Sequence, residues 1–219
     1  MARPKEFDAE KVLANAAEVF WRRGYDVVSI QELEAATGLG RGSLYNTFGD
    51  KEDLFIAALD RYIERHGAAP FRHLSNPNVR LGIQRLLEAV IARMGDPANP
   101  RGCLLTNTSL AFGTGSKRID AHVAEKIQTM ETLLEQAIAR ARREGQIPAS
   151  ASPKQLARFY SAVTQSLGVM HKAFGDDAAL RDIAAVAMCA WPAEAPRRGA
   201  SGPKRTLRHH QLKTTPACR

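Results

Sequence analysis

Apolar residues recur along this chain at helical spacing, and no stretch alternates as a half-buried strand would. Val12, Leu13, Ala16, Ala17 and Phe20 form one stripe, which predicts a first helix from about Asp8 to Arg23, ended by Gly24. Ser29 is a good N-cap, and Glu32 three residues later completes a capping-box pattern. A short second helix therefore runs to Thr37 and breaks at Gly38-Leu39-Gly40. A third short helix covers about Arg41 to Thr47. Asp50, with Asp53 in the third helical position, starts a fourth near Lys51 that extends to about His66.

Pro70 and the Ser75-Asn76-Pro77 turn mark a boundary after it. Asn78–Met94 reads as a helix with Leu81, Leu86, Ala89, Val90 and Met94 inward, followed by a Pro-rich loop over 96–100. The next helix is expected from near Arg101 to Gly113. The longest amphipathic stretch runs from about Lys117 to Glu144, with Ile119, Val123, Ile127, Met130, Leu134 and Ile138 on its inner face. Gly145 stops it. Two further helices, about Ser152–Phe174 and Asp177–Trp191, complete an all-α chain of about nine helices. Three segments are expected: 1–50, 51–192, and a tail over 193–219 whose Pro, Gly and basic residues predict disorder.

The 219 residues suffice for a buried core, and 44% hydrophobic with 25% charged residues is ordinary for a globular protein. No apolar run approaches the ~18–20 residues of a membrane span. The N-terminus lacks a signal-peptide pattern, so a cytoplasmic location is expected. Three cysteines are too few and too scattered for a disulfide framework. The tail's His209-His210 with Cys218 fits no zinc spacing, and neither metal nor cofactor is expected. No helix pairs carboxylates, or a nucleophile with a base, at a usable spacing, and no phosphate-binding glycine loop occurs; an enzyme is not expected. The net charge of +8 is unevenly spread: residues 1–66 carry 9 Lys/Arg against 12 Asp/Glu, while 193–219 carry 7 against 1. Any nucleic-acid reading of the N-terminal part must therefore rest on the placement of particular residues.

That placement exists. Two short helices joined by a glycine-containing turn, flanked by longer ones, form the layout of a helix-turn-helix. Its second short helix enters the DNA major groove. In Arg41-Gly42-Ser43-Leu44-Tyr45-Asn46-Thr47-Phe48, Leu44 and Phe48 are spaced to pin the helix to a core, leaving Arg41, Gly42, Ser43, Tyr45 and Asn46 outward. Gly42 permits close backbone approach, and the polar side chains can hydrogen-bond to bases or phosphates. Lys51 and Ser29 each open a helix, where free N–H groups favour a phosphate oxygen. Arg3 and Lys5 can act as an arm ahead of the first helix.

The stretch ATGLGRGSLYNTFGDKEDLF, with AAEVFWRRGYDVVSIQELEAATG before it, resembles the helix-turn-helix of the TetR family, most specifically in Tyr45, Phe48 and Lys51. Thr47 departs from the histidine many members carry. The resemblance implies a homodimer on a pseudo-palindromic double-stranded DNA operator and a C-terminal ligand-binding and dimerisation domain. It also implies a small-molecule inducer that releases the DNA. An activator, or a DNA-binding protein without inducer control, is the alternative. The last two helices would pair across the dimer axis through Leu156, Tyr160, Val163 and Leu167 with Ile183, Ala187 and Trp191; the same stripes also suit an intramolecular core. Candidate pocket residues are Met94, Cys103, Phe112, Met130, Phe159, Met170 and His171, each of which also suits ordinary packing. PRGCLLTNTSL looks like a subgroup carrying cysteine at that point. Cys103, beside Arg101 near a predicted helix start, is either an oxidant or electrophile sensor or a small core residue.

Overall fold

The computed structural model describes residues 7–111 and 115–192, and all its regular elements are helical. Asp8 caps α1 (Ala9–Arg23) by accepting from the N–H groups of Glu10 and Lys11, and Gly24 closes it at φ 87°. The capping box of Ser29 and Glu32 opens α2 (Ile30–Thr37), and a left-handed Gly38 ends it. After α3 (Arg41–Phe48), Asp50 and Asp53 form the reciprocal box that starts α4 (Lys51–Tyr62). The path then continues through a π-helical turn (Ile63–Gly67) into the one-turn α5 (Ala68–Phe71) and a 3-10 turn (Arg72–Ser75). Pro70 does not break it, because the π-helical turn just before α5 shifts the hydrogen bonding off the i→i−4 pattern, the Ala68 N–H bonding to the Ile63 carbonyl. The chain goes on as α6 (Val79–Met94), α7 (Leu104–Leu110), α8 (Lys117–Arg143), α9 (Pro153–Phe174) and α10 (Asp177–Cys189). With α5 as the continuation of α4, the described residues hold nine separate helical rods.

Helix α7 begins three residues later than the sequence pattern suggests. Gly102 lies in the left-handed region at φ 83° and Cys103 is extended, so 101–103 form a turn and helical geometry starts at Leu104.

Two cores hold the rods together. The first joins α1 to α4 around Phe20, Leu33, Leu44, Phe55 and Leu59, all fully buried. Phe20 and Tyr25 meet the ring of Phe55 edge-on, at 4.9 and 5.1 Å. Leu104 and Leu105 of α7 and Ile119 and Val123 of α8 belong to this same core. The second core packs α6, the C-terminal half of α8, α9 and α10 around residues such as Ile83, Leu134, Ile138, Tyr160 and Leu167.

Helices α9 and α10 turn their main apolar stripes inward. Tyr160, Val163, Leu167, Ala187 and Trp191 are buried in the second core, and Leu156 and Ile183 pack against it. These residues therefore serve the chain's own core rather than an exposed pairing face. The Tyr160 hydroxyl donates to the Ala187 carbonyl at 3.4 Å, and burial pushes its pKa up to about 12. The large apolar side chains that the two helices leave exposed are Phe159, Val186 and Phe174, at 41%, 69% and 70%.

Candidate nucleic-acid interface

Helix α3 is held by few, well-placed contacts. Leu44 is fully buried and Phe48 packs near Phe7 with ring centroids 6.5 Å apart. The Asn15 amide donates to the Ala36 carbonyl at 2.9 Å, fixing the end of α2 against α1. Gly40 offers no side-chain cap to α3; Glu34 reaches over from α2 and accepts from the Arg41 backbone N–H at 2.5 Å.

Arg41, Gly42, Ser43 and Asn46 are exposed on this helix and Tyr45 is half-buried. The Arg41 guanidinium lies 5.3 Å from the Tyr45 ring centroid, a cation–π arrangement that holds a long side chain in one place. A Cβ on Gly42 would meet nothing within 4 Å, so the glycine leaves open space on the outer face. The Thr47 hydroxyl donates to the Ser43 carbonyl at 2.8 Å and is turned back onto its own helix.

Lys51 is placed differently from an extended surface lysine. Its ammonium sits 4.5 Å above the ring of Tyr25, and burial lowers its pKa. No motif in the sequence singles out Tyr25; its only signal is an aromatic residue directly after the helix-ending Gly24. Ser29 is committed locally: its hydroxyl donates to Glu32 at 2.9 Å and accepts the Glu32 N–H at 3.3 Å. The Ser29 backbone N–H, which donates to the Glu32 carboxylate at 2.8 Å, together with the Ser29 hydroxyl and the ion pair with Arg23, holds the Glu32 carboxyl below its usual range. A phosphate at Ser29 has to displace that carboxylate.

Among the candidate pocket residues, Cys103, Met94 and Met130 line one narrow cavity with His66, Arg93 and Gln165, of only about 40 Å³. The Tyr62 hydroxyl donates to the Cys103 Sγ at 3.5 Å and accepts from Arg93 at 3.1 Å. Thr106 donates to the Gln165 side-chain oxygen at 2.5 Å. His171 is not part of this cavity's wall. Its Nδ1 accepts the Gly102 N–H at 3.0 Å and so fixes the turn that presents Cys103. Phe159 lies on the outer surface of α9, Met170 packs against the second core, and Phe112 lies outside the described residues. Arg3, Lys5 and the tail 193–219 also lie outside them.

Residues 12–58 match the model of the tetR family of bacterial regulatory proteins, and residues 82–187 match a tetracyclin repressor-like C-terminal domain. The HTH-type transcriptional repressor ComR of Escherichia coli K12 is 29% identical over 192 residues, 87% of this chain and 91% of ComR. A cysteine-substituted form of the regulator CifR, solved with a 26-base-pair double-strand operator, is 31% identical with a TM-score of 0.82, covering 87% of this chain and 100% of that one. The chain belongs to the TetR family of transcriptional regulators. Reduced NemR of E. coli shares the TetR fold at 21% identity, with a TM-score of 0.74 over 85% of this chain and 98% of its own.

In this TetR chain the two matched segments are joined along α4. Asp53 pairs with Arg118 at 2.5 Å, and Asp60 takes both His122 at 2.8 Å and Lys126 at 2.9 Å, so α8 is clasped to α4 at two levels. No helix of the described residues is long and apolar enough to cross a membrane.

Two histidines of the fold give it a pH dependence. Burial lowers the pKa of His66, helped by Arg93 and Arg65, and burial also lowers that of His171. His171 in addition uses Nδ1 as an acceptor, which protonation would remove. Both fold neutral, so the unfolded chain binds more protons once pH falls below about 6.5, and stability falls with pH from there through the depressed folded values. The melting temperature is expected to decrease between pH 7.5 and 5.5, and His171→Gln should flatten the slope. A melting temperature that rises over that range would show the histidines gain, rather than lose, by protonation.

Proposed function

We propose that this TetR-family chain is a transcriptional repressor that binds a pseudo-palindromic double-stranded operator as a homodimer. A small molecule that reaches the cavity beside Cys103 releases it. The observation that carries the DNA reading is the outer face of α3, where Arg41 is stacked on Tyr45 beside the open Gly42, with Lys51 seated on Tyr25. Support comes from CifR, solved on operator DNA, and from ComR, a repressor. The exposed Phe159 and Val186 on α9 and α10 favour pairing of those helices with a second copy. Two-fold pairing places the two α3 helices in successive major grooves about 34–36 Å apart.

The experiment is fluorescence anisotropy of the purified protein on fragments upstream of its own and neighbouring genes, with excess competitor DNA. Competitor-resistant binding to one fragment supports the reading. Binding that competitor erases leaves only non-specific electrostatics and overturns it.

Release requires only that the inducer prefer the form that cannot hold DNA. The cavity's small volume means that an inducer either opens it or reacts with what lines it. Cys103, half-buried and hydrogen-bonded to Tyr62, favours a reactive electrophile. Cys103→Ser should keep operator affinity within about twofold and abolish release by an α,β-unsaturated aldehyde; release undiminished in the serine variant would sink the electrophile reading. That substitution also separates a reacting thiol from a packing residue, since serine nearly preserves the volume.

A further inference from the structure

A second cleft, distinct from the Cys103 cavity, opens where α1, the end of α4 and the 98–100 loop meet. Its volume is about 170 Å³, room for a molecule of about the size of benzene. Ala14, Ala17 and Ala98 give it short apolar walls. Trp21, Tyr62 and His66 give it an aromatic side, with Trp21 edge-on to Tyr62 at 4.8 Å and to His66 at 5.5 Å.

The polar groups around this cleft are unevenly used. Glu18 is paired with Arg22 at 2.7 Å, and the Asn99 amide donates to the Arg93 carbonyl at 3.0 Å. One terminal nitrogen of Arg61 serves both Glu10 and Glu64. Arg65 has no carboxylate within ion-pair distance among the described residues.

We propose that this cleft is a binding site for a small monocarboxylate with an apolar body. The unpaired guanidinium of Arg65 matches one carboxylate, and the alanine and aromatic walls match an apolar remainder. The Glu18 carboxylate on the rim opposes a more highly charged anion such as phosphate. An occupant touches α1, α4 and the loop leading to Cys103 together. It also rests on Tyr62, whose hydroxyl is bonded to Cys103, and on His66, which borders both cavities. The site does not depend on the Cys103 reading, and the test separates the two.

Incorporated fluorotryptophan places fluorine NMR reporters at Trp21 and at Trp191, the chain's two tryptophans. Benzoate is expected to move the Trp21 resonance saturably and leave Trp191 in place, while benzamide and inorganic phosphate at equal concentration move neither. Arg65→Gln, at an exposed position, should weaken benzoate at least tenfold. Ala14→Leu should fill the cleft and abolish the shift, with Trp191 reporting that the fold is kept. Cys103→Ser should bind benzoate as the parent does. The proposal is overturned by an unmoved Trp21, by an equal response to benzamide or phosphate, or by undiminished binding in Arg65→Gln. Loss of binding in Cys103→Ser also overturns it, because benzoate would then occupy the inner cavity.

Discussion

Replacing Arg41 with alanine is expected to weaken operator binding roughly a hundredfold while leaving the melting temperature almost unchanged. Arg41 is exposed, makes no ion pair among the described residues, and spends its guanidinium only on the Tyr45 ring. An arginine contact to base or phosphate is worth about 1–3 kcal/mol, and a two-fold dimer loses it twice, about 2–6 kcal/mol in all. A hundredfold corresponds to roughly 2.7 kcal/mol, inside that range. Surface substitutions of this kind move stability by only about 0.5 kcal/mol. Anisotropy titrations on operator and on scrambled DNA, beside a thermal melt, give both numbers. A loss confined to the operator marks a base contact, and an equal loss on both marks a phosphate contact. Unchanged affinity would mean that α3 does not face the DNA.

Phe55→Ala should be the most damaging single truncation in the N-terminal core. The ring is fully buried and meets both Phe20 and Tyr25 edge-on. Removing it costs about 3–5 kcal/mol through lost transfer energy and the cavity left behind. Domains of this kind have only about 5–15 kcal/mol in total. DNA binding should suffer beyond the stability loss, because Tyr25 carries Lys51 and would lose its support. Phe55→Leu, which refills most of the volume, is expected to recover most of the urea midpoint. A cost for Phe55→Ala below about 1 kcal/mol would show that the core is not packed around this ring.

The N-terminal half was almost entirely legible in the sequence, because its signals are local. Ser29 with Glu32 and Asp50 with Asp53 form the boxes their spacing implies, and Gly24 and Gly38 end helices as expected. The start of α7 was not legible, since a left-handed Gly102 and an extended Cys103 depend on His171, 69 positions away in the chain. The stripe of Leu156, Tyr160, Val163 and Leu167 on α9 is legible from its spacing, but not whether it meets a second copy or the chain's own core. Packing against α6, α8 and α10 puts it in the core. Its place at a helix start singles out Lys51 in the sequence, but its seat on Tyr25 joins residues 26 positions apart, and no spacing rule reports that.

The sharing of the first core across the family's two segments bears on how such regulators can be recombined. Leu104, Leu105, Ile119 and Val123 close the interior of the DNA-binding half from beyond residue 100. A chimera spliced after α4 would import a foreign lid onto Trp21, Phe55 and Tyr62 and inherit mismatched packing. To keep its operator preference intact in a new host, the reading head must travel with α7 and the first turns of α8, or with those four positions matched.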